Sequence, residues 1–240
     1  MQVWCLKKPI IVSLSVYPIR LGLTVCYLIK DKGAVLFDAG MPRKINRFKR
    51  SLSGMPVDPS EISLIILSHA HFDHAGTAKD IREFTGARIL IHREDETFLE
   101  QSRMVWPKGV TRWGKISAFI FKIILKRVMR YPHAKPDMVM DTEEFSLREY
   151  GIDGRILHTP GHTRGSVSVL LESGELFAGC MAHNRFPFRL TPGLPIYADD
   201  IEELKQSWKK ILPLGVKIVY PAHGRPFHPD KMKKELGFTP

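Results

Sequence analysis

The chain of 240 residues is long enough for one large domain or two small ones. Its 44% hydrophobic and 25% charged residues are the composition of a globular protein and exclude extensive disorder. A formal net charge of +11 favours nucleic acid, an anionic membrane surface or anionic substrates as partners, and is silent on fold.

The opening "MQVWCLKKPIIVSLSVYPIR" imitates a signal peptide, but prolines and serines dilute its apolar stretch and no small-residue cleavage site follows. It reads as a strand, "PIIVSLSV". "LTVCYLIK" and "GAVLFDAG" are two more, joined by a tight "KDKG" turn. "PRKINRFKRSL" is a basic helix. "DPSEISLIILSHA" passes from a helix-start signal into a strand that ends at His69. "AGTAKDIREFTGARILIHREDETFLEQS" reads helix, strand, helix, with Gly86 closing the first helix.

Residues 104–136 interrupt this regularity. "GKISAFIFKIILKRVMR" is apolar over one broad side, with Lys115, Lys122, Lys126 and Arg130 near one helical stripe. One reading is a core helix with a solvated basic face. The others are a lid, a dimer interface or a helix lying on a membrane surface. A lid is favoured because the segment stands between two histidine motifs. No segment reaches the roughly 20 consecutive apolar residues of a spanning helix.

The second half returns to strands: "EEFSL", "GRILHTPG", "GSVSVLLES" and "GELFAGCMA", the last two joined by an "ESGE" hairpin turn. "ADDIEELKQSWKKIL" is an amphipathic helix with Ile201, Leu204, Trp208, Ile211 and Leu212 on one face. "VKIVYPAHG" is a final strand and "HPDKMKKELG" a closing helix. Two similar halves, each with helices after its strands, predict two sheets packed face to face with helices outside. The three cysteines Cys5, Cys26 and Cys180 lack Cys-x-x-Cys spacing, which argues against a disulfide framework and for a reducing, cytoplasmic setting.

"SHAHFDHAG" puts His69, His71, Asp73 and His74 at the end of an apolar strand, a poor way to finish a core and a good way to hold a metal. Strand alternation would send His69, His71 and Asp73 to one side and His74 elsewhere, serving two neighbouring positions. His162 in "TPGHTRGS", Cys180 in "LFAGCM" and His223 in "YPAHG" each stand just past an apolar strand. Imidazole, carboxylate and thiolate together suit zinc, with iron or manganese tolerated. His92, His133, His158, His183 and His228 have no such pattern and are expected to be structural or exposed; the alternatives are that His158, four residues before His162, lines the site and that His183, close after Cys180, supports the ligands from behind.

In this order "SHAHFDHAG", "TPGHTRGS" and "PAHG" resemble the metallo-β-lactamase fold superfamily, and "AVLFDAG" resembles its first motif. The resemblance covers nearly the whole chain. It implies one domain over 1–240 of the α/β class, an αββα sandwich of two mixed β-sheets with outer helices. The metal site would lie at one edge between the sheets. It implies that His69, His71 and His162 hold a first metal, that Asp73, His74 and His223 hold a second, and that Asp38 supports them from behind. Most hydrolytic members carry a bridging aspartate where Cys180 stands. Cysteine occupies that place in one subclass of zinc β-lactamases, but those lack a histidine matching His74. The softer thiolate binds zinc at about 2.3 Å and disfavours manganese or magnesium. The rival reading of Cys180 is a buried structural thiol beside a single metal.

The resemblance implies a metal-dependent hydrolase, with one or two zinc ions or iron activating water and Asp73 accepting its proton. "TPGHTRGS" looks most like the glyoxalase II and lactonase branch. The chain lacks the extra C-terminal helical region typical of glyoxalase II, which counts against glutathione thioesters. Asn184, Arg185 and Phe186 stand where lactonases commonly carry a tyrosine. The expected substrate is a small ester, lactone or thioester with an apolar acyl part, lined by Trp106, Trp113, Phe186, Phe188 and Tyr197. The rivals are a nuclease or phosphodiesterase using "RKINRFKR" and the basic helix, a β-lactam hydrolase, and a degenerate metal-binding module.

Overall fold

A computed structural model describes residues 14–102, 108–125 and 131–237, without the side chains of 121–125. Most of "PIIVSLSV", Cys5, Trp106, Lys126 and Arg130 lie outside these residues, as do the side chains of Phe121 and Lys122.

The first sheet has six strands among the described residues, in spatial order β1 (Ser15–Leu21), β2 (Thr24–Lys30), β3 (Ala34–Phe37), β4 (Ile62–Ile66), β5 (Arg88–His92) and β6 (Met138–Met140). The β1–β2–β3 pairs are antiparallel and β3 to β6 are parallel. The second sheet runs β11 (Ile218–His223), β10 (Glu175–His183), β9 (Val167–Leu171), β8 (Gly154–His158), β7 (Glu144–Ser146). Only its β10–β11 pair is parallel. Both sheets are therefore mixed, as expected.

Parallel strands need crossovers, and the helices supply them. α1 (Ile45–Leu52) links β3 to β4. α2 (Phe72–Ala75) and α3 (Ala78–Thr85) link β4 to β5, and α4 (Arg93–Glu100) and α5 (Arg112–Leu125) lie between β5 and β6. α6 (Ile201–Ile211) joins β10 to β11, and α7 (Asp230–Glu235) follows. Gly86 ends α3 in the left-handed region at φ 77°, the expected stop.

Three apolar layers hold this αββα stack together. Tyr27, Val35, Phe37, Leu64 and Ile66 of the first sheet meet Ile156, Val169 and Phe177 of the second. The alternate residues Leu28, Leu36 and Ile65 face outward under Phe48 of α1 and Ile81 of α3. On the far side Leu157, Leu170 and Leu176 pack under Leu204 and Trp208 of α6 and Met232 of α7. Strands buried on both faces explain the unbroken apolar runs "AVLF" and "ISLII".

Asp200 caps α6, its Oδ1 accepting from the backbone N–H groups of Glu202 and Glu203 at 2.9 and 3.0 Å. Its own N–H donates to the carbonyl of Gly161, beside His162. Asp200→Ala is expected to cost about 1 kcal/mol, read as a lower urea midpoint with an unchanged slope.

The segment 104–136 departs from the core-helix reading. In α5 only Gly114 and Ser117 are buried among the described side chains, whereas Ile116 and Phe119 are 55% and 68% exposed. The apolar side faces outward. No described helix is long and apolar enough to cross a membrane.

Candidate metal centre

The parallel strands β3, β4, β10 and β11 end at one edge of the stack, and the polar residues collect there. Asp38 follows β3 in a left-handed conformation, φ 65°, unusual for a residue with a side chain. The turn aims its carboxylate back across the sheet edge. Oδ1 accepts from the backbone N–H of Ser68 at 2.9 Å, and Oδ2 lies 2.7 Å from Nδ1 of His74.

The chain is not extended through "HAHFDHA", as strand alternation supposed. β4 stops at Ile66, residues up to His71 form a loop, and α2 begins at Phe72. A helical turn swings Asp73 away from His69 and His71 and over to His74. Two groups result, whose donor atoms lie within 4.8 Å of one another: His69, His71 and His162, and Asp73, His74 and His223. Nε2 of His69 and Nε2 of His162 approach Nδ1 of His71 at 2.9 and 3.3 Å. Nε2 of His223 lies 3.4 Å from Oδ2 of Asp73 and 3.3 Å from Nε2 of His74.

Cys180 joins the groups. It lies within β10 rather than past its end, with Sγ 3.2 Å from Nε2 of His74. It belongs to a set with His69 and His74 and to another with His183 and His223. Cys180 and Cys26 are free and buried.

The imidazoles are oriented from outside. Nδ1–H of His162 donates to the carbonyl of Tyr197 at 2.9 Å, and Nδ1–H of His223 to that of Leu23 at 3.2 Å. Nδ1 of His74 faces Asp38, and Nδ1 of His69 contacts Oγ of Ser68 at 2.9 Å. His162 and His223 thus turn Nε2 toward the shared centre, and His69 and His74 are anchored on their Nδ1 side, as metal-binding histidines are. The donor set fits a soft or borderline divalent ion.

The electrostatics vary within the centre: burial pushes His69 down, whereas Cys180 outweighs burial and raises His162. Burial, together with the neighbouring His162, pushes His71 down to about 3, so its ring is neutral at pH 7. Burial also opposes charge on His74 and Cys180, but their surroundings outweigh it. Cys180, Asp38 and Asp73 hold His74 well above the usual imidazole range, and His74, His223 and His162 hold the Cys180 thiol well below its usual value.

Two further residues belong to the site. Asp95 of α4 is buried; its Oδ2 accepts from the N–H of Ala70 and the hydroxyl of Thr163, and its Oδ1 from the N–H of Gly165. It ties the His69–His71 loop to the His162 loop. His183 is buried beside Cys180 and His223. Of the other histidines, His92 and His158 stack at 3.9 Å beside the centre, and His228 pairs with Asp230 on the surface.

The sequence profile of the metallo-beta-lactamase superfamily matches residues 19–223. The chain belongs to the metallo-beta-lactamase superfamily. This metallo-hydrolase superfamily binds divalent metals, in keeping with the donor groups above. The present member is 27% identical to hydroxyacylglutathione hydrolase GloC of Haemophilus influenzae over 225 residues, 88% of this chain and 91% of that protein. It matches a solved archaeal metallo-beta-lactamase superfamily protein of Sulfolobus tokodaii with TM-score 0.64 and 26% identity, over 94% and 85% of the two chains. A subclass B3 metallo-beta-lactamase of Bradyrhizobium japonicum matches in fold, with TM-score 0.61 and 21% identity over 95% and 81%.

Proposed function

We propose that the protein is a zinc-dependent hydrolase of small esters, lactones or thioesters with an apolar acyl part. His69, His71 and His162 hold one ion, and Asp73, His74 and His223, with Cys180, surround a second. The bound metal supplies Lewis acidity and activates water near neutral pH. Asp73 accepts the proton at Oδ2, which Thr24 steadies through a 3.4 Å hydroxyl contact. His162 is kept in one tautomer by Tyr197, whose hydroxyl meets Ser117 of α5 at 2.6 Å.

The observation that carries the acyl preference is the outward apolar wall beside this centre. Six of the seven large apolar side chains exposed among the described residues are Trp113, Ile116, Phe119, Ile120, Phe186 and Leu190. The indole N–H of Trp113 donates to the carbonyl of Pro187, joining α5 to the loop that carries Phe186 and Leu190. Phe188 from the same loop lies 4.7 Å from the ring of His223. An exposed apolar surface of this extent marks a binding face. Arg112 and Lys115 flank it, so the same face is suited to touch an anionic lipid surface from which an acyl substrate is drawn.

Nucleic acid is the weaker reading. A cavity of about 950 Å³ beside His71 is lined by Glu94, Asp141, Glu143, Asp199, Asp200 and Glu203 against Lys108 and Arg164. That balance repels a phosphate chain, whatever the overall charge. Glutathione thioesters stay within the proposed class, because the hydroxyacylglutathione hydrolase is matched over 91% of its own length. The free Cys26 and Cys180 suit a cytoplasmic setting.

The test is a hydrolysis panel of lactones, thioesters, esters, β-lactams and phosphodiesters with zinc-loaded protein. Turnover of carbonyl substrates is expected, rising with acyl length. Phe119→Ser together with Ile116→Ser should raise KM for long acyl chains on the order of tenfold, with KM for acetyl substrates unchanged. Equal effects on both would make α5 a structural element, and turnover of phosphodiesters alone would overturn the reading.

A further inference from the structure

His183 ends β10 and is 1% exposed, yet neither ring nitrogen has a hydrogen-bond partner among the described residues. A buried polar atom left unpaired costs about 1–3 kcal/mol, so two on one ring need an explanation. The backbone fixes this ring in place. The His183 N–H donates to the carbonyl of Gly193 at 3.0 Å, and the N–H of Gly193 returns a bond to the His183 carbonyl. His183 also pairs in register with His223 across the parallel β10–β11 ladder.

The ring has a defined neighbourhood. It stands perpendicular to His223 at 5.0 Å, and Phe188 covers it at 5.0 Å. A ring nitrogen of His183, Sγ of Cys180 and a ring nitrogen of His223 all lie within 4.8 Å of one another. Positions three apart on a regular strand face opposite ways. Here the β10–β11 register shifts between Gly179 and His183, and Gly179 adopts φ 51°. That irregularity turns Cys180 and His183 into the same space.

We propose that His183 is a further ligand of the second metal position, completing with Cys180 and His223 a pocket of one sulfur and two nitrogens. This rests on the metal reading above and extends it to a residue outside the motifs. Coordination through one ring nitrogen would account for one of the two orphaned atoms. A thiolate with two imidazoles is also a softer pocket than Asp73, His74 and His223, so zinc or cadmium is favoured there over manganese.

The decisive experiment is a crystal structure of the zinc-loaded protein with anomalous differences at the zinc edge. A second zinc peak about 2.1 Å from a His183 nitrogen and about 2.3 Å from Cys180 Sγ is the expected result. A second peak held without His183, or zinc at His69, His71 and His162 alone, overturns the proposal while leaving the hydrolase reading intact. Zinc at neither place sinks both. In solution His183→Ala should weaken the second zinc equivalent at least tenfold and leave the first unchanged. Equal affinity for both equivalents in that variant counts against it.

Discussion

The His71→Ala protein is expected to lose most of the metal held by His69, His71 and His162 and on the order of 1,000-fold in turnover, about 4 kcal/mol of transition-state stabilisation. Nδ1 of His71 stands between Nε2 of His69 and Nε2 of His162, so its removal leaves two donors where three converged. Two imidazoles alone hold a divalent ion poorly, and burial together with the neighbouring His162 keeps His71 neutral and able to donate its lone pair. The fold should survive, because the ring contributes little to the three apolar layers. Elemental analysis of the purified variant, alongside its circular dichroism, separates metal loss from unfolding. Full metal content and unchanged turnover would remove His71 from the centre.

The next largest effect is expected at Cys180. A metal bound to its sulfur stabilises the thiolate outright and blocks it from electrophiles. Alkylation by iodoacetamide should therefore run at least about tenfold faster after chelation than in the zinc-loaded protein. Cys26 is an internal control, since burial raises its pKa and it belongs to no donor group. Cys180→Asp replaces sulfur by a harder oxygen ligand, so manganese occupancy should rise relative to zinc. Equal alkylation rates with and without metal, together with unchanged stoichiometry in the aspartate variant, would make Cys180 a structural thiol.

The sandwich was legible because its central strands carry the signature of double burial, and because the helices between them leave room for parallel crossovers. "AVLF" and "ISLII" could be read as strands without a neighbour in sight. β6 was not, since three residues at a sheet edge carry no period. The seven candidate donors were legible from residue type, but strand alternation grouped them wrongly because α2 begins within the cluster. Asp95 escaped because its partners Ala70, Thr163 and Gly165 are contacts from elsewhere in the chain. His183 could be read only as an alternative standing behind the ligands, because its direction depends on an irregular register. For α5 the apolar pattern left a core helix and a lid both open, since an apolar helix side is ordinarily a buried one; among the described side chains Ile116, Phe119 and Ile120 are exposed.

His223 stands on the strand that reaches back to the start of the chain, its Nδ1 donating to Leu23 and the Tyr27 hydroxyl donating to Pro221. This closure has a consequence for biosynthesis. A ribosome adding roughly 5–20 residues per second makes His223 some 8 to 30 s after His69. During that interval the nascent chain comes to hold all donors of the first group once His162 is made, while Asp73 and His74 still wait for His223. Filling of the second group is thereby expected to wait for β11, with full affinity there arising only when that strand docks against the first sheet. An ion acquired early can be lost to the cell's own chelators. One acquired after closure is retained, so the fold itself times the capture.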